Sequence, residues 1–311
     1  MSPADSLGRI FFPHTVKEFV AKEKADIVHY TSAETALKII QSKTFWFRDC
    51  RVMNDTSEIL HGKKCLLDFL ASKQGQQFID AMNSVHSGCS FQLIPYIKFL
   101  LESNSEEVFI ASFYIQKQET NPNGRLSMWK AYGGGKASVA LHFSPDYFFR
   151  EGTESIAMVV QYQTAEQFTN ALLQKAEEVR NSSKLFSAMS IQDFVQHIGL
   201  YLLFTVLSTK HNIFEEEQEL RVVLPRWIGN TLFVPTPICI DGIPQTVRVL
   251  DLNKYMTTPP HYADTHKLFK EVVVGPSGQQ KIIKRALELA IYENATIVHS
   301  KVRCVDVPLR T

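Results

Sequence analysis

Asp26-Ile27-Val28-His29-Tyr30-Thr31 (DIVHYT) is the stretch on which the fold turns. It is rich in β-branched and aromatic residues and reads as a strand. A helix follows at once. Thr31 and Glu34 have capping-box spacing, and Ala36, Leu37 and Ile40 supply an apolar face. Thr44-Phe45-Trp46-Phe47 then returns to strand character.

Working outward, residues 15–24 read as a short amphipathic helix within an N-terminal helical extension, 1–25. On the other side, Asn54-Asp55-Thr56 is a turn and cap signal before a helical pattern at Ile59, Leu60, Leu66, Leu67 and Leu70. A second helical region covers 76–102, interrupted near Gly88 and Pro95. Residues 108–115 (VFIASFYI) form a strand, 116–124 a polar loop, and 127–132 a helical turn carrying Trp129. Residues 137–143 and 158–162 are strands, 164–182 and 190–210 helices. Strands recur at 219–224 and within 231–250. The strand 270–274 runs into Gly275-Pro276, a helix over 279–293 and a strand over 296–300. Strands and helices alternate irregularly, which suits α+β better than a doubly wound parallel sheet. The expected organisation is a single α+β domain over 26–311, with helical insertions near 57–102 and 164–210.

The chain has 311 residues, 45% apolar and 21% charged, enough for a well-packed core. Its net charge of +1 and short basic runs do not advertise a nucleic-acid surface. The five cysteines are scattered, with no Cys-x-x-Cys, and read as free thiols in a reducing cytoplasm. No signal peptide is visible. The uncharged run 194–209 is too short to span a bilayer and reads as a buried helix, so no membrane association is expected.

Glu217-Gln218-Glu219-Leu220-Arg221 carries the densest chemistry. Read as a strand, it puts Glu217, Glu219 and Arg221 on one face. That face is either a solvated edge or a pair of carboxylates with a guanidinium that fixes one of them. His29 and Thr31 likewise share a face, just before a helix N-terminus, where polar ligands bind readily. The bland alternative for His29 is a core histidine with a satisfied hydrogen bond. Trp46, Trp129 and Tyr132 either stack on a planar ligand or fill the core. Gly133-Gly134-Gly135-Lys136 fails the phosphate-loop pattern, because Lys130 and Ala137 stand where Gly and Ser or Thr are needed. His261 and His266 do not share a helix face, and no metal site is expected.

Taken in order, the motifs resemble the bacterial family called domain of unknown function 2971. The pieces are His29-Tyr30-Thr31-Ser32, Phe45-Trp46-Phe47, Asn54-Asp55-x-x-Glu58, Ser112-Phe113 and Met128-Trp129-x-x-Tyr132-Gly133. They continue with Lys210-His211, Glu217-x-Glu219-x-Arg221, Val273-Val274-Gly275-Pro276 and Ser300-Lys301-Val302-Arg303. The sequence departs from the pattern in the helical insertion at 76–102 and at Lys301-Val302.

The motif order is in turn similar to that of ADP-ribosyltransferases, which bind NAD in the cleft of a split β-sheet. This resemblance implies an ADP-ribosyltransferase-like fold with a mixed or antiparallel split sheet. The implied function is a cytoplasmic bacterial effector, a toxin or anti-phage defence protein. It would cleave the nicotinamide–ribose bond of NAD, as a transferase or a glycohydrolase. Glu219 would stabilise the oxocarbenium-like centre and Glu217 would orient an acceptor, protein or nucleic acid. Arg221 would hold Glu219. His29 would hold the adenosine-side ribose, beside Tyr30, and Thr31 or Ser32 would meet the nicotinamide amide. Trp129 and Tyr132 would supply the central aromatic. A neutralising or regulatory partner would suit such an effector. The rival expectation is a non-enzymatic ligand-sensing or interaction module on the same fold, with these residues as a structural polar network. The two differ in whether His29 and Glu219 face one open cleft or Arg221 seals Glu219 inside.

Overall fold

Two short helices open the chain, α1 (Pro3–Phe11) and α2 (Val16–Lys22), followed by strand β1 (Ala25–Ser32). A computed structural model describes residues 1–52, 56–103, 108–117, 123–133, 137–144, 155–224, 232–240, 242–257, 268–293 and 301–305. Helix α3 (Ala33–Ser42) is capped by Ser32, whose hydroxyl accepts the Thr35 N–H at 3.1 Å. The cap thus falls one residue beyond Thr31, which stays in the sheet opposite Val139. Lys43 leaves the helix in the left-handed region, φ 56°, and its N–H bonds to Ile39 O at 3.0 Å. Strand β2 (Thr44–Asp49) follows.

Three helices come next: α4 (Thr56–Leu70), α5 (Lys73–Val85) and α6 (Ser90–Ser103). Gly88, at φ 75°, makes the break between the last two. Pro95 lies inside α6 without interrupting it. Then come β3 (Phe109–Lys117), α7 (Leu126–Tyr132), β4 (Ser138–Phe143), β5 (Ile156–Val159) and β6 (Gln161–Tyr162). Helix α8 (Ala165–Asn181) starts on a Thr164–Gln167 capping box. Past the single turn α9 (Ser183–Phe186) runs α10 (Ile191–Leu207), largely buried as the uncharged sequence predicts. The chain continues through β7 (Thr209–Lys210), a 3-10 helix (Asn212–Glu217) and β8 (Glu219–Leu224). It closes with β9 (Phe233–Ile240), β10 (Ile243–Asp251), α11 (Leu252–Thr257), β11 (Phe269–Val274), α12 (Gln280–Glu293) and β12 (Lys301–Cys304).

The contacts gather the chain into two compact units. One comprises Met1–Thr15, Cys50–Val108 and Val159–Glu216, and the other Val16–Asp49, Phe109–Met158 and Glu217–Thr311. The stretches expected as insertions into one domain therefore pack with α1 in a helical unit of their own. There α10 buries Phe194, Ile198 and Leu202, and α8 buries Phe168, Leu172 and Val179, so the helices supply each other's apolar partners.

The other unit holds a mixed sheet in the order β12-β11-β4-β1-β3-β2-β10-β9, with β8 pairing β3 and β5. Of the pairings on that path only β11·β12 is parallel. One edge of β3 carries two strands in succession. Val28 of β1 pairs with Tyr114, and Arg48 of β2 pairs with Ile110. The whole opposite edge, from Phe109 to Tyr114, pairs with β8. The sheet therefore splits between β1 and β2, beside Ser112 and Phe113.

Candidate functional site

Strand β8 starts at Glu219, not at Glu217. The 3-10 helix ends at Glu217, and Gln218 has φ 39°, a left-handed conformation that breaks the extended run. Glu217 is thus not a strand partner of Glu219, and the expected pair of carboxylates on one strand face does not form.

Side chains on both faces of β8 are buried. Glu219 and Arg221 are 6% and 3% exposed, so a solvated edge does not describe them. Arg221 Nε donates to Glu219 Oε1 at 2.8 Å, and Nη2 donates to Oε2 at 3.0 Å. This is the two-pronged guanidinium–carboxylate geometry. Ser112 Oγ adds a third bond to Oε1 at 2.6 Å. Both oxygens of Glu219 are engaged inside the protein.

His29 sits on the other face. In the ladder Val28 and Glu219 both face Tyr114, so these three share a face with Ser112 and Arg221. His29 shares its face with Phe113 instead. Its ring lies edge-on to Phe45 at 4.9 Å and tilted to Phe113 at 5.7 Å. Nδ1 donates to the Ser112 carbonyl at 3.3 Å, a group left without a strand partner where the sheet splits. Burial lowers the imidazole pKa to about 4, and the carbonyl bond only partly opposes this. His29 is therefore neutral at pH 7. The expected single cleft around His29 and Glu219 is replaced by two environments on opposite sides of one sheet.

The other expected nicotinamide- and ribose-side residues are mostly core. Tyr30 is buried and donates to Gln116 Oε1 at 3.0 Å, and burial raises its pKa. Trp129 is buried edge-on to Tyr30 at 4.7 Å, and its Nε1 donates to Asn123 O at 2.9 Å. Thr31 is buried in β1 and Ser32 is spent on its cap. Tyr132 alone is well exposed, at the end of α7. Asn54, Asp55, Gly134–Lys136, Ser300, His261 and His266 lie outside the described residues, as does the side chain of Glu58.

The motif pieces nonetheless converge. Val28, Tyr30, Tyr114, Met128, Trp129, Ala140 and Val273 form one buried cluster. Gly275 belongs to it by necessity, since a Cβ there would stand 2.6 Å from the Trp129 ring and 2.5 Å from Ser138 Oγ. The signature thus reads as a packing pattern on the same face as the Glu219–Arg221 pair.

Sequence reasoning missed a pocket on the His29 face. It is a small space of about 40 Å³, walled by Phe45, Phe47, Phe113, Phe143, Val222 and Phe233, among others. Each phenylalanine taken singly reads as core, and only the strand register brings them around one space. Among the described residues no three His, Cys, Asp or Glu side chains converge as a metal site requires, and no helix is long and apolar enough to cross a membrane.

Residues 128–222 match the family model described as "Protein of unknown function (DUF2971)", which supports the resemblance read from the motifs. No curated protein and no solved structure matches the chain.

Proposed function

We propose that the sheet unit is a non-enzymatic ligand-sensing module and that its Glu-x-Arg signature holds the sheet together. One observation carries this reading: both carboxylate oxygens of Glu219 are taken by Arg221 and Ser112, behind a buried surface. A carboxylate that stabilises a developing cation must reach the substrate and present an oxygen to the charge that develops there. Glu219 is arranged the other way.

A second reading keeps NAD as substrate, with Glu219 as the electrostatic stabiliser and a protein, nucleic acid or water as acceptor. The split between β1 and β2 favours it, because ADP-ribosyltransferases use such a split. It requires Glu219 to leave Arg221.

Nicotinamide release from NAD by the purified full chain separates the two. The non-enzymatic reading expects none above NAD alone. It also expects Glu219→Gln to destabilise the fold by about 3–5 kcal/mol, because Arg221 then stays buried without its counter-charge. The paired change Glu219→Leu with Arg221→Leu should recover part of that loss, since it removes both charges. Nicotinamide release that falls a hundredfold or so in Glu219→Gln, at an unchanged melting temperature, would overturn this and establish the second reading.

A further inference from the structure

Helix α12 carries an apolar stripe on its outer face. Its inner face buries Leu287, Ala290 and Ile291, packed toward α3 and β12. Ile282, Ala286 and Leu289 lie outside, with Ile282 71% and Leu289 56% exposed. Their spacing of four and then three residues lines them up along one side of the helix, as in the seam between two packed helices. Tyr292, 82% exposed, flanks the stripe. A contiguous apolar row, unlike single exposed residues, marks an interaction surface. Ala286, at its middle, is small enough to let a second helix come close.

The charges on α12 say what that partner is. Lys281, Lys284 and Arg285 lie in the N-terminal half, and Glu288 and Glu293 in the C-terminal half. This order opposes the helix dipole, whose positive end is the N-terminus. Lys284 is matched within the helix, by Glu288 at 3.6 Å. Lys281 and Arg285 at one end, and Glu293 at the other, are exposed and border the stripe. A second copy of the same helix laid antiparallel brings Glu293 of each chain to Lys281 and Arg285 of the other. Two-fold symmetry makes this match twice, and the opposed helix dipoles add to it. A parallel copy would set like charges side by side, and a foreign helix would have to carry the same charges in reverse order.

We propose that α12 is a dimerisation surface, on which two copies of this chain pair antiparallel through Ile282, Ala286 and Leu289, with Lys281 and Arg285 set against Glu293. A 14-residue helix is about 21 Å long, so one helix pair buries less than the roughly 1,200–2,000 Å² of a standard interface. The dimer is therefore weak and forms as concentration rises.

Sedimentation velocity of the full chain across a concentration series tests this. The weight-average sedimentation coefficient should climb from that of a monomer toward that of a dimer, and added salt should weaken the climb. Leu289→Lys, at an exposed site, should keep the melting temperature while weakening dimerisation by roughly tenfold or more. Lys281→Glu with Arg285→Glu should weaken it too, because both ends of the pair then repel. Adding Glu293→Lys to that double variant restores opposite charges at both ends, and dimerisation should return. Circular dichroism establishes that each variant is folded. A wild type that stays monomeric at every concentration would overturn the proposal and give the stripe to a different protein. Self-association undiminished in folded Leu289→Lys, or a triple variant that pairs no better than the double, would overturn it as well.

Discussion

At the residue scale, His29 shows how burial turns a familiar functional residue into a structural one. Its pKa of about 4 lies below the usual 6.5, and the cause is burial. Between those values the unfolded chain binds the proton and the folded chain does not, so stability falls as pH drops through 6.5 toward 4. Above pH 6.5 the burden is absent. The full shift corresponds to about 3 kcal/mol. His29→Asn keeps a donor for the Ser112 carbonyl and cannot titrate. Urea midpoints at pH 7.5 and pH 5 should therefore separate more for the wild type than for His29→Asn, and equal separations would count against a buried neutral imidazole. The sequence already held the reading of a core histidine with a satisfied bond. What it did not hold was the partner, because the Ser112 carbonyl is 83 residues away and is exposed to His29 only by the split. Glu219 and Arg221 were legible as a charge-assisted pair from their spacing. Their closure was not, because the third partner, Ser112 Oγ, comes from another strand.

At the element scale, alternation and capping were read well and boundaries less so. β1, β2, β3, α10 and α12 fall where the periodicity puts them. The α3 cap shifts by one residue, while β8 covers 219–224 as read, and only the extension of its face back to Glu217 fails, at a left-handed Gln218 that no propensity marks. Strand β9 carries a device of its own. It ends the strand order among the described residues, and it holds Pro235 opposite Arg248 and Pro237 opposite Thr246. Alternate pairs of an antiparallel ladder exchange their bonds, and proline has no N–H to exchange. The two prolines thus occupy positions whose N–H would point away from β10. There they cost the ladder nothing and deny a donor to any added strand. Pro235→Thr with Pro237→Thr should leave the melting temperature nearly unchanged but increase self-association in sedimentation velocity runs. A double variant that sediments like the wild type at every concentration would show that the prolines do not guard this edge.

At the scale of the whole molecule, the helical and sheet units each bury a core of their own. Leu202 in α10 is fully buried in the helical unit, and Leu202→Ala should cost about 2–5 kcal/mol there. Hydrogen exchange should then quicken in α1, α4, α8 and α10, while β1, β3 and β4 keep their protection. Equal loss of protection in both sets would mean that the chain unfolds as one cooperative body. The sequence by itself determined the local elements, the α+β character, the buried uncharged helix and the set of motif residues, because periods of 2 and 3.6 and cap chemistry act over a few neighbouring residues. Only the tertiary structure decided that His29 and Glu219 look away from each other, that Tyr30 and Trp129 are core, and that five phenylalanines surround a pocket. The physical reason is register. The side chains of a strand alternate, so which distant residues share a face depends on how Val28, Tyr114 and Glu219 align across three strands, and a slip of one residue would exchange the two faces.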